Sequence, residues 1–120
     1  MSKDSAYLRD ILDSARAIRN YLAGVSREQF EANLEKQDAV IRRYAIMGEA
    51  ARRLSPSAVK ALADLPWKQI MGMRNILIHD YDEVDEATLW DTAQNDLPGL
   101  IARLEAHLSR QPPPPDQESP

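Results

Sequence analysis

The chain has no cysteine. That excludes a disulfide framework and any thiolate metal site, and it fits a reducing compartment such as the cytoplasm. Histidine is nearly as scarce: His79 and His107 are the two in the chain. They lie far apart, and no His-x-x-x-His pair exists, so no metal-ligand set is visible and no metal or cofactor is expected. Four glycines and one phenylalanine in 120 residues leave good helix formers dominant and point to an all-α fold. No apolar run approaches the roughly 20 residues that span a bilayer. The opening Met1-Ser-Lys-Asp4 lacks the charged-then-apolar layout of a secretory leader. A basic excess is missing too. The net charge is −4, which argues against non-specific coating of duplex DNA while leaving room for a local basic patch.

What is present is helical periodicity. The length suits one domain, and a chain of this size buries roughly two-thirds of its unfolded surface. Leu8, Ile11, Leu12, Ala15, Ile18 and Leu22 recur at three and four, predicting a helix over 5–22 with Asp4 or Ser5 as its cap and Gly24 as its stop. Ser26 and Gln29 stand at capping-box spacing and open a short turn or helix through Phe30. A long helix is predicted over 33–54, with Val40, Ile41, Tyr44, Met47, Gly48, Ala51 and Leu54 as its apolar arc and Glu49 pairing locally with Arg42 or Arg53. Ser55-Pro56 and Leu65-Pro66-Trp67 each launch a further helix, the first to about Ala63, the second to about His79. Asp85 caps a last helix to Leu108, with a kink or restart near Asn95-Asp96 forced by Pro98. Residues 1–109 read as one helical domain. The proline-rich stretch 110–120 has nothing apolar to bury and reads as a disordered tail.

Within that pattern one stretch stands out, Met71-Gly-Met-Arg-Asn-Ile-Leu-Ile-His-Asp-Tyr81. On a continuous helix Asn75 and His79 share a face with Lys68 and Gly72. Arg74 falls among Ile70, Met71, Leu77 and Ile78, an expensive place for a charge without a partner or a task. Arg74 and His79 lie about 140° apart around a regular helix. They converge only if the helix ends near His79 or if two copies of the chain meet. Arginine offers a permanent cation with a phosphate-matching fork, and histidine moves protons near neutral pH. Asparagine can orient a phosphate oxygen or an imidazole, and tyrosine can stack on a base or carry a modification. Together they suit metal-free phosphodiester chemistry on RNA, where the substrate's own 2′-hydroxyl is the nucleophile. Taken singly, each has an ordinary structural role: His79 and His107 as caps of helix carbonyls, Arg74 as an ion-pair partner, Tyr81 as a half-buried packing group.

Arg74-Asn-Ile-Leu-Ile-His-Asp-Tyr81 resembles the Arg-x(4–6)-His-x-Tyr motif of HEPN-domain ribonucleases. With Tyr7-Leu-Arg-Asp-Ile-Leu, Met47-Gly-Glu-Ala-Ala-Arg-Arg-Leu-Ser, Pro66-Trp-Lys-Gln-Ile-Met-Gly-Met-Arg-Asn and Asn95-Asp-Leu-Pro, the likeness covers residues 5–108 and is closest to HepT toxins of toxin–antitoxin pairs. The resemblance implies a HEPN-type antiparallel bundle of about four to six helices, working as a homodimer with both motifs bordering a shared cleft. It implies metal-independent endoribonuclease cleavage of cellular RNA. By motif position Arg74 would hold the phosphate and His79 would act as general acid or base. Asn75 would orient substrate or imidazole, and Tyr81 would border the cleft. It further implies a cognate minimal nucleotidyltransferase antitoxin that places AMP on Tyr81. The proline-rich tail lies outside the family pattern. Two other readings use the same residues: a non-catalytic HEPN module that dimerises and docks a nucleotidyltransferase or nucleotide, and a purely structural helical dimer.

Overall fold

The computed structural model describes residues 3–73 and 85–110. Among these the fold is all-helical, with seven helices where about four to six are expected. The excess comes from punctuation: α2 (Arg27–Glu31), α4 (Pro56–Ala61) and α5 (Trp67–Gly72) are pieces of one or two turns. Three longer helices, α1 (Asp4–Leu22), α3 (Leu34–Arg52) and α7 (Leu97–Ser109), carry most of the core, and α6 (Glu86–Asn95) leads directly into α7.

The periodic stripes are the buried faces. Leu8, Ile11, Ala15 and Ile18 of α1, Val40, Tyr44, Met47 and Ala51 of α3, and Leu97 and Leu104 of α7 are all 2% exposed or less. Helix α1 packs most extensively on α3 and next on α7, and α3 also holds α5. Side-chain bonds give the direction of travel. Tyr21 near the end of α1 accepts from Arg43 Nε at 3.2 Å, while Asp4 at its start bonds Ser55, so α1 and α3 run antiparallel. Arg16 pairs with Glu105 of α7, and Arg19 donates to the Ala93 carbonyl at 3.2 Å and to Gln94 Oε1 at 2.9 Å. The Arg19 cation thus sits where α6 presents its C-terminal carbonyls, a favourable place for positive charge.

Several local devices match the sequence. Ser26 and Gln29 form a reciprocal capping box. Gly24 takes φ +73°, the left-handed conformation that glycine adopts without a Cβ penalty, and turns the chain after α1. Ser55 caps α4 and Asp85 caps α6, while the chain restarts at Asp96 with Pro98 in the first turn of α7. Glu49 pairs with Arg53 at 3.4 Å on the surface.

Four boundaries depart from expectation. The cap of α1 is Lys3, with no side-chain bond, rather than Asp4 or Ser5. The Asp4 carboxylate instead accepts from Ser55 N–H at 2.9 Å and Ser55 Oγ at 2.6 Å. It is spent on joining α1 to the α3–α4 corner. Helix α3 closes at Arg52 and α4 at Ala61, each two residues early. Helix α5 closes at Gly72, with Met73 as its C-cap, and the remainder of the helix expected to about His79 lies outside the described residues. The predicted tail beyond Arg110 falls outside the described residues. Among the described residues no helix is long and apolar enough to cross a membrane.

Candidate functional site

Arg74, Asn75, His79 and Tyr81 all lie in 74–84, outside the described residues. The structure does show how the two ends of that stretch are held. On the entering side, Trp67 and Ile70 are buried to 6% and 2% exposure. The Trp67 indole N–H donates to the Leu62 carbonyl at 2.8 Å, fixing α5 against the corner that follows α4. Arg52, at the end of α3, donates from Nε to the Met71 carbonyl at 3.2 Å. This supplies a cation to the carbonyl end of α5. Helix α5, which leads into Met73, is therefore held from two sides.

On the leaving side, Asp85 accepts from Ala87 N–H and from Thr88 Oγ, both at 3.0 Å. Helix α6 is tied to α3 by the Tyr44 hydroxyl, which donates to the Leu89 carbonyl at 3.0 Å. Tyr44 is 1% exposed. Burial first, and the Asp96 carboxylate second, raise its phenol well above the ordinary tyrosine value. It is consequently a fixed neutral donor at physiological pH rather than a proton-transfer group.

Between these two anchorages lies a cavity of about 710 Å³, within the size range of small-molecule sites. Leu65, Ile70, Met73, Leu97 and Leu100 give it apolar walls. Gln69, Thr88, Thr92, Asn95 and Asp96 give it polar ones. Thr88, Thr92 and Asn95 recur at helical spacing along one face of α6, and Asp96 closes that face at the joint with α7. Among the described lining residues Asp96 is the charged one. The sequence assigned none of these polar residues to a site, although Asn95 and Asp96 mark the helix restart. The signal available was the Thr88/Thr92/Asn95 spacing and the Asn95-Asp-Leu-Pro stretch. Among the described residues no group of three or more His, Cys, Asp or Glu side chains is placed to hold a metal ion.

Chemically the described part of the site can accept hydrogen bonds and enclose an apolar face. It offers a phosphate little, since its formal charge is negative.

Comparison with known proteins supplies the family. The model described as "Ribonuclease HepT-like" matches residues 11–107, a span that contains the whole Arg74–Tyr81 motif. The protein named "Putative RNase MJ1380" of Methanocaldococcus jannaschii is 35% identical over 100 residues, 83% of this chain and 92% of its own length. "Probable ribonuclease HepT" of Thermococcus cleftensis is 33% identical over 82% of this chain and 90% of its own length. "Putative RNase TTE0752" of Caldanaerobacter subterraneus is 30% identical over 92% of this chain and 99% of its own length. No solved structure matches significantly. With most of the helical domain covered by the family model, and relatives of this identity aligned over nearly their full length, the chain belongs to the HepT-like ribonuclease family.

Proposed function

We propose that this chain is a ribonuclease, and more finely a metal-independent endoribonuclease toxin that cleaves cellular RNA in the cytoplasm. The observation that carries the reading is the family match over 11–107 together with an arginine, an asparagine, a histidine and a tyrosine at the family's motif positions. In the proposed reaction the 2′-oxygen of the substrate attacks the adjacent phosphorus and the P–O5′ bond breaks. The products are a 2′,3′-cyclic phosphate and a free 5′-hydroxyl. The 2′-hydroxyl proton leaves to a base, and the departing 5′-oxygen collects a proton. His79 serves this proton traffic, worth about 10²–10⁴-fold in rate. Arg74 neutralises the charge building on the phosphate oxygens. Asn75 orients substrate or imidazole, and Tyr81 borders the cleft. Two copies of the chain form the active unit, each contributing its motif. The Arg52 bond to the Met71 carbonyl and the Tyr44 bond to the Leu89 carbonyl support this reading, because they tie the helices before and after the motif segment to α3.

A cognate minimal nucleotidyltransferase silences the toxin by transferring AMP to Tyr81, the phenol oxygen bonding to the α-phosphorus of ATP with loss of pyrophosphate. The adduct puts negative charge and bulk where an RNA phosphate must sit. The test is RNA cleavage by the purified chain in excess EDTA. Wild type cuts, and Arg74→Ala and His79→Ala do not. EDTA-sensitive cutting, or undiminished cutting by both variants, overturns the proposal. Tyr81→Phe abolishes the AMP mass adduct formed with the partner, and an adduct retained in that variant rules out Tyr81 as its sole acceptor.

A further inference from the structure

We infer that the cavity between α5 and the α6–α7 joint is a base-recognition subsite for guanine, with the Asp96 carboxylate as its specificity determinant. The inference deepens the ribonuclease reading and rests on it for the identity of the ligand as part of an RNA.

The argument begins with charge. Asp96 is exposed and makes no capping bond to the helix it precedes, so its oxygens stand ready as acceptors. A carboxylate repels a phosphate and accepts only from donors. Among the described lining residues no cation offsets it. The Asp96 carboxylate therefore favours an uncharged edge rich in N–H groups over a phosphate. Among the four RNA bases, guanine has two adjacent donors on its Watson–Crick edge, N1–H and the 2-amino group, and these match one carboxylate in a parallel pair. Adenine and cytosine each set a ring acceptor beside the amino group, which faces a carboxylate unfavourably. Uracil has one N–H between two carbonyls.

Shape and position agree. Leu65, Ile70, Leu97 and Leu100 bring apolar surface to the cavity, suited to the faces of a planar ring. Asn95 and Thr92 stand beside Asp96 with further polar groups for the base edge or its ribose. The volume of about 710 Å³ holds a nucleoside with room for water. The Tyr44–Leu89 bond ties the α6 wall to α3. Met73 belongs to the cavity lining and is joined covalently to Arg74.

Nucleoside binding to the full-length chain, followed calorimetrically, tests this apart from catalysis. Guanosine binds wild type. Inosine, which lacks the 2-amino group, binds at least about tenfold more weakly, as expected for one lost hydrogen bond to a charged acceptor. Adenosine gives no heat in the same range, and Asp96→Asn lowers guanosine affinity at least about tenfold without changing the far-ultraviolet circular dichroism. Equal binding of guanosine and adenosine, no guanosine binding at millimolar concentration, or an unchanged affinity in Asp96→Asn each overturns the subsite. Mapping of cleavage positions on a mixed-sequence RNA separates this from the activity itself. Guanosine binding that depends on Asp96 in a chain that cuts no RNA supports the subsite and removes the ribonuclease reading. Cutting without guanine bias in a chain that binds no guanosine does the reverse.

Discussion

Tyr44→Phe deletes one oxygen, and its effect should change with pH. In the wild type the buried hydroxyl donates to the Leu89 carbonyl at 3.0 Å. Leu89 lies inside α6, so its carbonyl keeps the helical bond when the hydroxyl goes. The loss near neutral pH is then that of one buried hydrogen bond, about 1 kcal/mol. At alkaline pH the sign turns. The unfolded phenol titrates near its ordinary value of about 10. The folded one titrates higher, because burial and Asp96 disfavour the phenolate. Between those two values the unfolded chain has lost a proton that the folded chain keeps, so stability falls as pH rises. The slope is about 1.4 kcal/mol per pH unit above about pH 10. The advantage of wild type over Tyr44→Phe should therefore be full near pH 7 to 9 and gone by about pH 11. Urea unfolding followed by circular dichroism at several pH values measures that difference, and the other titrating groups cancel in it. A gap that stays constant from neutral to strongly alkaline pH, or no gap near neutrality, refutes the placement of this hydroxyl.

Three further substitutions probe the frame around the site. Leu104 of α7 is fully buried against the core, so Leu104→Ala should cost about 2–5 kcal/mol and lower the melting temperature accordingly. Asp4→Ala removes both bonds to Ser55 and should destabilise by about 1–2 kcal/mol in urea; a null result would mean that the α1 to α4 tie is not formed in solution. Gly24→Ala places a Cβ at φ +73° and should cost about 1 kcal/mol although the space beside it is open, since the strain lies in the backbone.

Elements governed by local rules could be read in the chain. The stripe from Leu8 to Leu22, the Ser26 box, the Gly24 stop and the restart at Asp96 each follow from spacing within a few residues. The cap of α1 could not be read that way. Asp4 has two uses, and the choice is made by Ser55, which reaches it only after α1 and α3 have paired. The cavity was equally hidden, because α3, α5, α6 and α7 each supply part of its lining and no short motif records that meeting. For the motif the balance is reversed. Arg74, Asn75, His79 and Tyr81 were legible at once as a chemical set, and they fall in the stretch that the structure does not describe. Their proposed roles rest on residue chemistry and family membership.

The account claims that the chain lets RNA cut itself, using a neighbouring 2′-oxygen as nucleophile while Arg74 and His79 manage charge and protons. An RNA oligonucleotide bearing a single 2′-deoxynucleotide at a mapped cleavage position isolates that claim, with the all-ribose oligonucleotide as control. The account predicts that the control is cut, leaving a 2′,3′-cyclic phosphate, and that the substituted strand stays intact at that position. Equal cleavage of both strands would contradict it.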